Sequence, residues 1–162
     1  MVYIRVKKIN QKPYAYLVES KKSKNGPRQK VKKYLGRICE FDKKDIEEKI
    51  VSSKNKSNFL STLILPELVA LGFKEKSGNY FLKNLVFDSK KLTLSKQTKS
   101  KTVKDAIISL NDGYLCSFTL QRILRFKKGA DLKQDAEILA KYFLEAGIKI
   151  SRENFIGYYK LL

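Results

Sequence analysis

Histidine, the side chain most often used for acid–base catalysis near neutral pH, does not occur among the 162 residues. Ser-His-Asp and Cys-His catalytic arrangements and zinc sites built on histidine are therefore excluded. The two cysteines, Cys39 and Cys116, cannot form a closed all-cysteine zinc site, and their wide spacing predicts buried free thiols in a reducing compartment. The glycine motifs G-x-x-x-x-G-K-[ST] and G-x-G-x-x-G, which cradle phosphates, do not occur either.

Carboxylates leave one catalytic class open, the Mg²⁺-dependent cleavage or transfer of phosphodiesters, in which two metal ions clamp the scissile phosphate. The candidate acids are Asp42, Asp45, Glu47, Glu48 and Asp88. Asp45 and Glu48 are better explained as charges at the start of a predicted helix, where the helix dipole favours anions, and Asp88 as a turn residue. We therefore expect no enzymatic activity, no cofactor and no metal, and we keep a Mg²⁺-dependent nuclease as an alternative.

Positive charge is the strongest feature of the sequence. The formal net charge is +19, and it is concentrated in two blocks. Residues 1–37 contain 12 Lys and Arg against one acid, and residues 73–104 contain nine against two. Charge of this density destabilises a compact fold through self-repulsion unless an anionic partner compensates it, and nucleic acid is the commonest such partner. A merely solubilising surface would not explain the clustering.

Tyrosines are interleaved with the charges of the first block, which suits contact with nucleic acid. A tyrosine can donate a hydrogen bond to phosphate or stack on an exposed base, but it is also a favoured strand residue that packs in cores, and both roles stay open here. The predicted nucleic-acid-binding residues are Arg5, Lys7, Tyr14, Tyr16, Lys21, Lys22, Lys24, Arg28, Lys30, Lys32, Lys33, Tyr34 and Arg37. A secondary basic patch is predicted from Lys90, Lys91, Lys96, Lys99, Lys101 and Lys104. Lysines without arginine favour nonspecific backbone contact, because an ammonium group is a point charge.

The side chains of the first block require a platform, which the pattern of residues 1–37 supplies as three strands. Residues 2–7 alternate apolar and polar side chains, the period of a half-buried strand. Residues 14–19 and 28–35 predict two more strands, separated by a polar turn at 10–13 and by a basic loop that ends in Asn-Gly-Pro. The sheet should carry on its surface Arg5, Lys7, Arg28, Lys30 and Lys32.

The middle of the chain changes to a helical pattern. Asp42 and Asp45 resemble a capping arrangement for a helix that ends near Val51, and a second apolar stripe begins at Phe59. Pro66 should start a new helix or kink the old one, and residues 73–83 predict a β-hairpin. Three helices followed by a hairpin is the order of elements in a winged helix. Short strands are predicted at 85–88 and 92–94.

The end of the chain predicts mostly helices. Residues 95–104 are polar and basic, as in a linker, and Thr102 with Asp105 forms a capping box for a helix that ends near residue 111. Further helices are predicted after Ser117, from Leu132, and after Ser151. The expected fold class is therefore α+β, with an N-terminal three-stranded antiparallel sheet, a winged-helix-like middle and a C-terminal helical bundle. The predicted segments are a basic β module at 1–40, a helical and hairpin region at 41–94, a linker at 95–104 and a helical domain at 105–162.

The first quarter of the chain shows a resemblance to a known family. The pattern YIRVKKI…KPYAYLVES…PRQKVKKYLGR is similar to the N-terminal module of insertion-sequence DDE transposases, a short basic stretch that ends in Tyr-Leu-Gly. Here that motif is Tyr34-Leu35-Gly36, and Gln11 stands at a turn position where such modules often have glycine. The resemblance implies contact with nucleic acid but not transposition, because no acidic triad of a transposase core is present.

Together these features predict a nonenzymatic nucleic-acid-binding protein whose favoured ligand is double-stranded DNA. A protein that binds structured RNA or the ribosome is the first alternative. A protein-interaction adaptor, whose C-terminal helices bind a partner or a second copy of the chain, is a further one. No stretch approaches 18 consecutive apolar residues and no signal peptide opens the chain, so we expect no membrane association and a cytoplasmic protein, nucleoid-associated in a prokaryote.

Overall fold

The computed structural model describes residues 2–162 and confirms the α+β class, with two sheets and four helices in that part of the chain. None of these helices is long and apolar enough to cross a membrane. The strands are β1 (Val2–Ile9), β2 (Lys12–Ser23), β3 (Gly26–Cys39), β4 (Lys74–Lys76), β5 (Asn79–Leu82), β6 (Leu85–Asp88), β7 (Thr93–Gln97), β8 (Val103–Asp105), β9 (Ile107–Leu110) and β10 (Gly113–Cys116). The helices are α1 (Lys56–Ala70), α2 (Ser117–Leu124), α3 (Leu132–Ala146) and α4 (Arg152–Lys160).

The three predicted N-terminal strands form an antiparallel meander, but two later strands extend their sheet. The strand order is β1-β2-β3-β9-β10, and β9 pairs with β3 in parallel through Ile38 and Cys39. The capping box predicted at Thr102 and Asp105 does not start a helix, because residues 103–110 form β8 and β9. Adjacent β-branched Ile107 and Ile108 suit a strand, and the free edge of β3 provides the hydrogen-bonding partner.

The second sheet is an antiparallel meander of β4 to β8 in chain order. The strands predicted at 85–88 and 92–94 are present, and the hairpin predicted at 73–83 forms β4 and β5. Residues 95–104, predicted as a linker, instead contain most of a second hairpin, in which Lys96 pairs with Lys104. The polar composition of this segment is therefore that of an exposed hairpin.

The segment before α1 has no helix, so the predicted helix at 42–51 is wrong. Residues 40–55 form an irregular strap whose polar groups find partners elsewhere in the fold. The Val51 N–H donates to Asn154 Oδ1 at 2.7 Å, and Glu48 Oε1 accepts from the Ser151 N–H at 2.7 Å. These tertiary hydrogen bonds replace the i→i−4 bonds that a helix would have made. With one helix before the hairpin, the winged-helix order of elements is also wrong.

Helix α1 continues through Pro66, so of the two outcomes predicted for Pro66 the start of a new helix is wrong. It ends as predicted at Gly72, whose φ is +103°. The N–H of Phe73 donates to Leu68 O at 3.0 Å and that of Gly72 to Val69 O at 2.9 Å, which is the Schellman arrangement. Helix α4 follows its predicted cap, since Ser151 Oγ accepts from the Asn154 N–H at its start. Ser117 does not cap α2, because Cys116 is the N-cap and the Ser117 hydroxyl donates to Leu94 O at 3.3 Å.

The main hydrophobic core lies between α1, the second sheet and the C-terminal helices. Its largest buried side chains include Phe59 of α1, Phe87 of β6, Phe143 of α3 and Tyr158 of α4. A smaller cluster lies under one face of the N-terminal sheet and contains Ala15, Leu35, Ile38, Ile107 and Cys116. The N-terminal sheet is thus covered on one side only, and this decides which of its residues can meet a ligand.

Candidate nucleic-acid interface

Two irregularities in β3 set the direction of its side chains. Val18 pairs with Val31, but the next residue of β2, Leu17, pairs with Lys33, so Lys32 has no pairing partner in the ladder. Tyr16 then pairs with Tyr34 and Ala15 with Gly36, so Leu35 also has no pairing partner in the ladder. Each extra residue is a β-bulge, and a bulge shifts the alternation of the strand by one position. The simple alternation of residues 28–35 therefore does not hold through the whole strand.

The first face of the sheet, which we call the inner face, packs on the smaller hydrophobic cluster. Ala15 and Leu35 are buried there against Ile107 and Cys116, and Phe118 of α2 packs at the edge of the cluster. The buried Leu35 and Ile38 explain why the bulge at Leu35 is tolerated: it turns an apolar side chain into the core. Cys39 and Cys116 are both free thiols, as predicted; Cys116 is buried, whereas Cys39, also predicted to be buried, is half-buried.

The opposite face, which we call the outer face, carries rows of residues that pair directly across the three strands. One row is Lys7, Tyr14 and Arg37; the next is Arg5, Tyr16 and Tyr34; the third is Tyr3, Val18 and Val31. Directly paired residues project from the same side of a sheet, so each row lies on one surface. Gln29 lies next to the third row. Two of the three rows thus combine tyrosine rings with cationic side chains.

The tyrosines of the outer face form a cluster, which consists of Tyr14, Tyr16 and Tyr34. The ring of Tyr34 lies 6.4 Å from that of Tyr14 at 30° and 5.2 Å from that of Tyr16 at 48°, and the residue is 53% exposed. Lys7 Nζ lies 5.5 Å from the centre of the Tyr16 ring, within the range of a cation–π contact. Desolvation by its surroundings raises the pKa of Tyr34, and the nearby Tyr14 and Tyr16 act in the same direction. Tyr34 therefore stays neutral, as a hydrogen-bond donor, near pH 7.

A small polar network holds the other end of the outer face. Gln29 Nε2 donates to the Tyr3 hydroxyl at 2.6 Å, and Arg5 donates to Gln29 Oε1. These contacts join β1 to β3 above β2 and cover Val18, which is only 1% exposed although it points away from the core. Tyr3 and Gln29 were not among the predicted site residues. Tyr3 could have been found from its alternation with Arg5 and Lys7, whereas Gln29 required the register of the strands.

Within residues 2–39, which form the three N-terminal strands and their turns, no carboxylate lies on the outer face. Glu19 is the only acidic residue between positions 2 and 39, and it belongs to the inner face, where it pairs with Val2 and Lys30. Glu19 Oε2 lies 2.9 Å from Lys32 Nζ and 3.5 Å from Lys21 Nζ. The hydrogen bond from Lys32 is the main cause that lowers the pKa of Glu19. The charge of Lys32 is therefore partly compensated within the protein, while the cations of the outer face are not.

The predicted site residues consequently fall into two groups rather than on one surface. The outer face holds Arg5, Lys7, Tyr14, Tyr16, Lys22, Tyr34 and Arg37. The inner side of the same strands holds Lys21, Arg28, Lys30, Lys32 and Lys33, of which Lys33 Nζ lies 2.6 Å from Asp105 Oδ2. The expectation that Arg5 and Lys7 share a surface with Arg28, Lys30 and Lys32 is wrong, because directly paired strands place them on opposite sides.

Beyond the first strand the sheet narrows to a two-stranded ribbon. Among the described residues, the pairing of β1 with β2 extends to Val2, opposite Glu19, and the ladder of residues 20–29 joins the ends of β2 and β3. We call this hairpin the arm. It is closed by Gly26 at a φ of +95°, and the Ser23 hydroxyl donates to Gly26 O at 2.7 Å. From Lys21 to Gln29 every residue is exposed, so the two faces of the arm are equally accessible.

The arm is strongly cationic. It contains four positive side chains and no acid, namely Lys21, Lys22, Lys24 and Arg28. Lys21 pairs with Arg28 on one side, and Lys22 lies on the other, with Lys24 in the turn. A ribbon four residues long on each strand extends roughly 13 Å. Where the sheet packs on the core, its two faces keep the predicted site residues apart. In the arm they do not, because a narrow ribbon can present both of its faces to one groove.

The predicted secondary patch is also divided. Lys90 and Lys91 lie in the turn between β6 and β7, where their backbone N–H groups donate to Asp88 Oδ1 at 3.0 and 2.9 Å. This contact supports Asp88 as a turn residue. Lys96, Lys99, Lys101 and Lys104 lie at the other end of β7, in and beside the turn to β8. The six lysines thus occupy opposite ends of one strand and do not form a single surface.

The acidic candidates do not gather into a metal site. Within residues 2–162, no group of three or more Cys, Asp or Glu side chains is placed so that it could hold a metal ion. No protein-family model, curated protein or solved structure matches the chain. The similarity to the transposase module therefore rests on the motifs of residues 1–37 alone. The remaining guide to function is the distribution of charged and aromatic side chains on the surface of the protein.

Proposed function

We propose that this chain is a nonenzymatic nucleic-acid-binding protein that contacts double-stranded DNA through the arm and the outer face of the N-terminal sheet. One observation carries the proposal: the arm and the outer face carry seven cationic side chains and the tyrosine cluster, and none of the acidic residues between positions 2 and 39 belongs to either of them. Side chains of these types supply most protein contacts to phosphate, and an acid-free surface avoids repulsion of the phosphate backbone.

The dimensions of the arm favour a DNA groove. The major groove of B-form DNA is about 12 Å wide and admits a two-stranded ribbon, and several DNA-binding proteins use such a ribbon there. The major groove of A-form RNA is deep and too narrow for side chains to read. With cations on both of its faces, the arm can contact the phosphates on both sides of the wider groove. The geometry of the arm thus supports duplex DNA over duplex RNA.

A salt titration of DNA binding tests this proposal. Neutralising six to eight phosphates should give a slope of roughly −5 to −7 when the logarithm of the binding constant is plotted against that of the salt concentration. The measurement is fluorescence anisotropy with a labelled duplex, together with competition by duplex RNA of the same length. A slope near zero would contradict the proposal and favour a protein-interaction adaptor. Stronger competition by duplex RNA would favour the RNA-binding alternative.

Replacing the single inner-face acid should strengthen DNA binding. In Glu19→Gln the ion pairs with Lys32 and Lys21 are lost, and the ammonium group of Lys21, which belongs to the arm, becomes free for phosphate. One additional phosphate contact corresponds to a slope change of about 0.9, so the affinity near 0.1 M salt should rise up to about eightfold. The matched control is Glu137→Gln, which removes one exposed acid from α3 and changes the net charge equally. Equal gains from the two variants would show that only the net charge matters.

A further inference from the structure

The tyrosine cluster has no structural role that accounts for its exposure. Tyr14, Tyr16 and Tyr34 belong to neither of the hydrophobic clusters in the described part of the chain, since both cores lie on the inner side of the sheet or beyond it. Tyr34 is 53% exposed although two other rings lie beside it. Burying aromatic surface would stabilise the protein, so three neighbouring rings on an open face indicate a ligand that supplies the missing contact.

The charges around the cluster define the chemistry of that ligand. Arg5, Lys7 and Arg37 lie in the same two rows as the three rings, and no carboxylate lies on this face. A partner that fits must combine flat rings with regularly spaced negative charge. A nucleotide chain does so: each base can stack on a ring, and each phosphate can pair with a cation beside it. A basic or neutral protein partner would leave these cations unpaired.

Stacking places a condition on the nucleic acid. In a duplex each base is paired and stacked between its neighbours, so only the base edges are accessible in the grooves. An unpaired base has free faces that a tyrosine can cover, and each such contact contributes about 1–3 kcal/mol by alanine substitution. The arm suits duplex DNA, whereas the tyrosine cluster on the same face suits unpaired nucleotides. The two parts of the surface therefore differ in the form of nucleic acid that they fit.

The distance between the two parts fits one continuous ligand. Tyr16 and Lys22 lie on the same side of β2 and are six residues apart, which is about 20 Å along a strand. The same length covers about six base-pair steps of B-form DNA at 3.4 Å each. A duplex that ends close to the base of the arm would bring its first unpaired nucleotides to the tyrosine cluster.

We propose that the tyrosine cluster is a single-strand subsite, and that the preferred ligand is duplex DNA with an adjoining unpaired strand. This inference rests on the proposed function, because it assigns a substrate class to the same surface. The arm contacts the phosphates of the duplex, and Tyr34, with Tyr14 and Tyr16, stacks on the unpaired bases. Arg5, Lys7 and Arg37 pair with the phosphates of the single strand.

The test compares four labelled DNAs by fluorescence anisotropy at one salt concentration: a blunt duplex, the same duplex with a six-nucleotide extension at the 3′ end, the same duplex with that extension at the 5′ end, and the single strand alone. We expect one of the extended duplexes to bind at least about tenfold more tightly than the blunt one. Tyr34→Ala should reduce the ratio of the two affinities to near one, and Tyr34→Phe, which keeps the ring, should preserve it. Phe81→Ala is the control, because Phe81 is an exposed aromatic residue of the second sheet.

Intrinsic fluorescence gives a second readout. The protein has no tryptophan, so its emission comes from nine tyrosines, and stacking of unpaired bases should quench part of it. Equal, tight binding of blunt and extended duplexes by the unmodified protein would overturn the single-strand subsite and leave the proposed function standing. A Tyr34→Ala variant that keeps the preference for the extended duplex would overturn it as well. Failure to bind any of the four DNAs would instead overturn the proposed function.

Discussion

Replacement of the four arm cations by alanine should weaken binding to duplex DNA about a thousandfold near 0.15 M salt. The substituted residues are Lys21, Lys22, Lys24 and Arg28. Each neutralised phosphate contributes about 0.9 to the salt slope, so four contacts contribute about 3.6, and the slope should become less steep by that amount. The loss should be similar for different DNA sequences, because backbone contacts carry no direct sequence information. The measurement is a salt titration of the variant and the unmodified protein on two unrelated duplexes.

The matched control removes the same amount of charge from other parts of the surface. It replaces by alanine four exposed lysines that take part in no ion pair among residues 2–162, namely Lys54, Lys133, Lys141 and Lys160. Both variants lower the net charge by four, so they differ only in the position of the change. If the control loses as much affinity as the arm variant, DNA binding follows the net charge of the protein and the arm is not the contact. The four substitutions should leave the stability nearly unchanged, because the side chains of the arm are exposed and belong to neither core.

The predicted strands β1 to β3 were confirmed because their signals are local. Residues 2–7 alternate strictly, and the turns that connect the strands carry suitable residues, as at Gly26. The turn at Asn10 and Gln11 has positive φ at both positions, +49° and +62°, which is the two-residue hairpin turn with type I′ geometry. The transposase modules that residues 1–37 resemble often have glycine at the position of Gln11. The left-handed backbone of Gln11 explains why glycine suits this position.

The faces of the sheet could not be predicted from the alternation alone. The bulge at Lys32 moves Lys33 and Tyr34 to the sides opposite to those that simple alternation predicts, and the bulge at Leu35 restores the alternation at Gly36 and Arg37. The sequence contains no signal for either bulge. Arg28, Lys30 and Lys32 lie on the inner side because the register of β1, β2 and β3 places them opposite the side that carries Arg5 and Lys7. The predicted cations and tyrosines are therefore divided between two surfaces by the pairing of the strands.

The two incorrect helices have the same cause, which is the dominance of tertiary partners over local propensity. Residues 42–51 contain good helix formers, but Asn154 and Ser151 of a distant segment supply hydrogen bonds to the extended strap. Lys43 Nζ is also held there, 2.6 Å from Glu67 Oε2 and 2.7 Å from Asn111 Oδ1. Such partners lie 24 to 103 residues away, so no window of local sequence reveals them.

The tight contact between the β9–β10 turn and the end of α3 has a further consequence for stability. A Cβ atom at Gly113 would lie 2.3 Å from both Gly147 N and Leu144 O, and one at Gly147 would lie 1.9 Å from Leu110 O. Asn111 Nδ2 also donates to Gly147 O at 2.7 Å. The two backbones are therefore packed against each other with no room for a side chain, and glycine is required at both positions for close approach.

Gly113→Ala should therefore lower the free energy of unfolding by about 3 kcal/mol or more, because the added methyl meets backbone atoms that cannot move without separating β10 from α3. For a chain of this size the corresponding fall in Tm is about 6–12 °C. Gly78→Ala is the control: Gly78 has a φ of +81°, but nothing lies within 4 Å of its added Cβ, so only backbone strain of about 1 kcal/mol is expected. Urea denaturation followed by circular dichroism measures both variants.

Equal losses of unfolding free energy in the two variants would mean that the turn and α3 are not in direct backbone contact. A larger loss for Gly113→Ala, with weaker DNA binding at 37 °C, would show that β9 supports the binding sheet through its parallel pairing with Ile38 and Cys39 of β3.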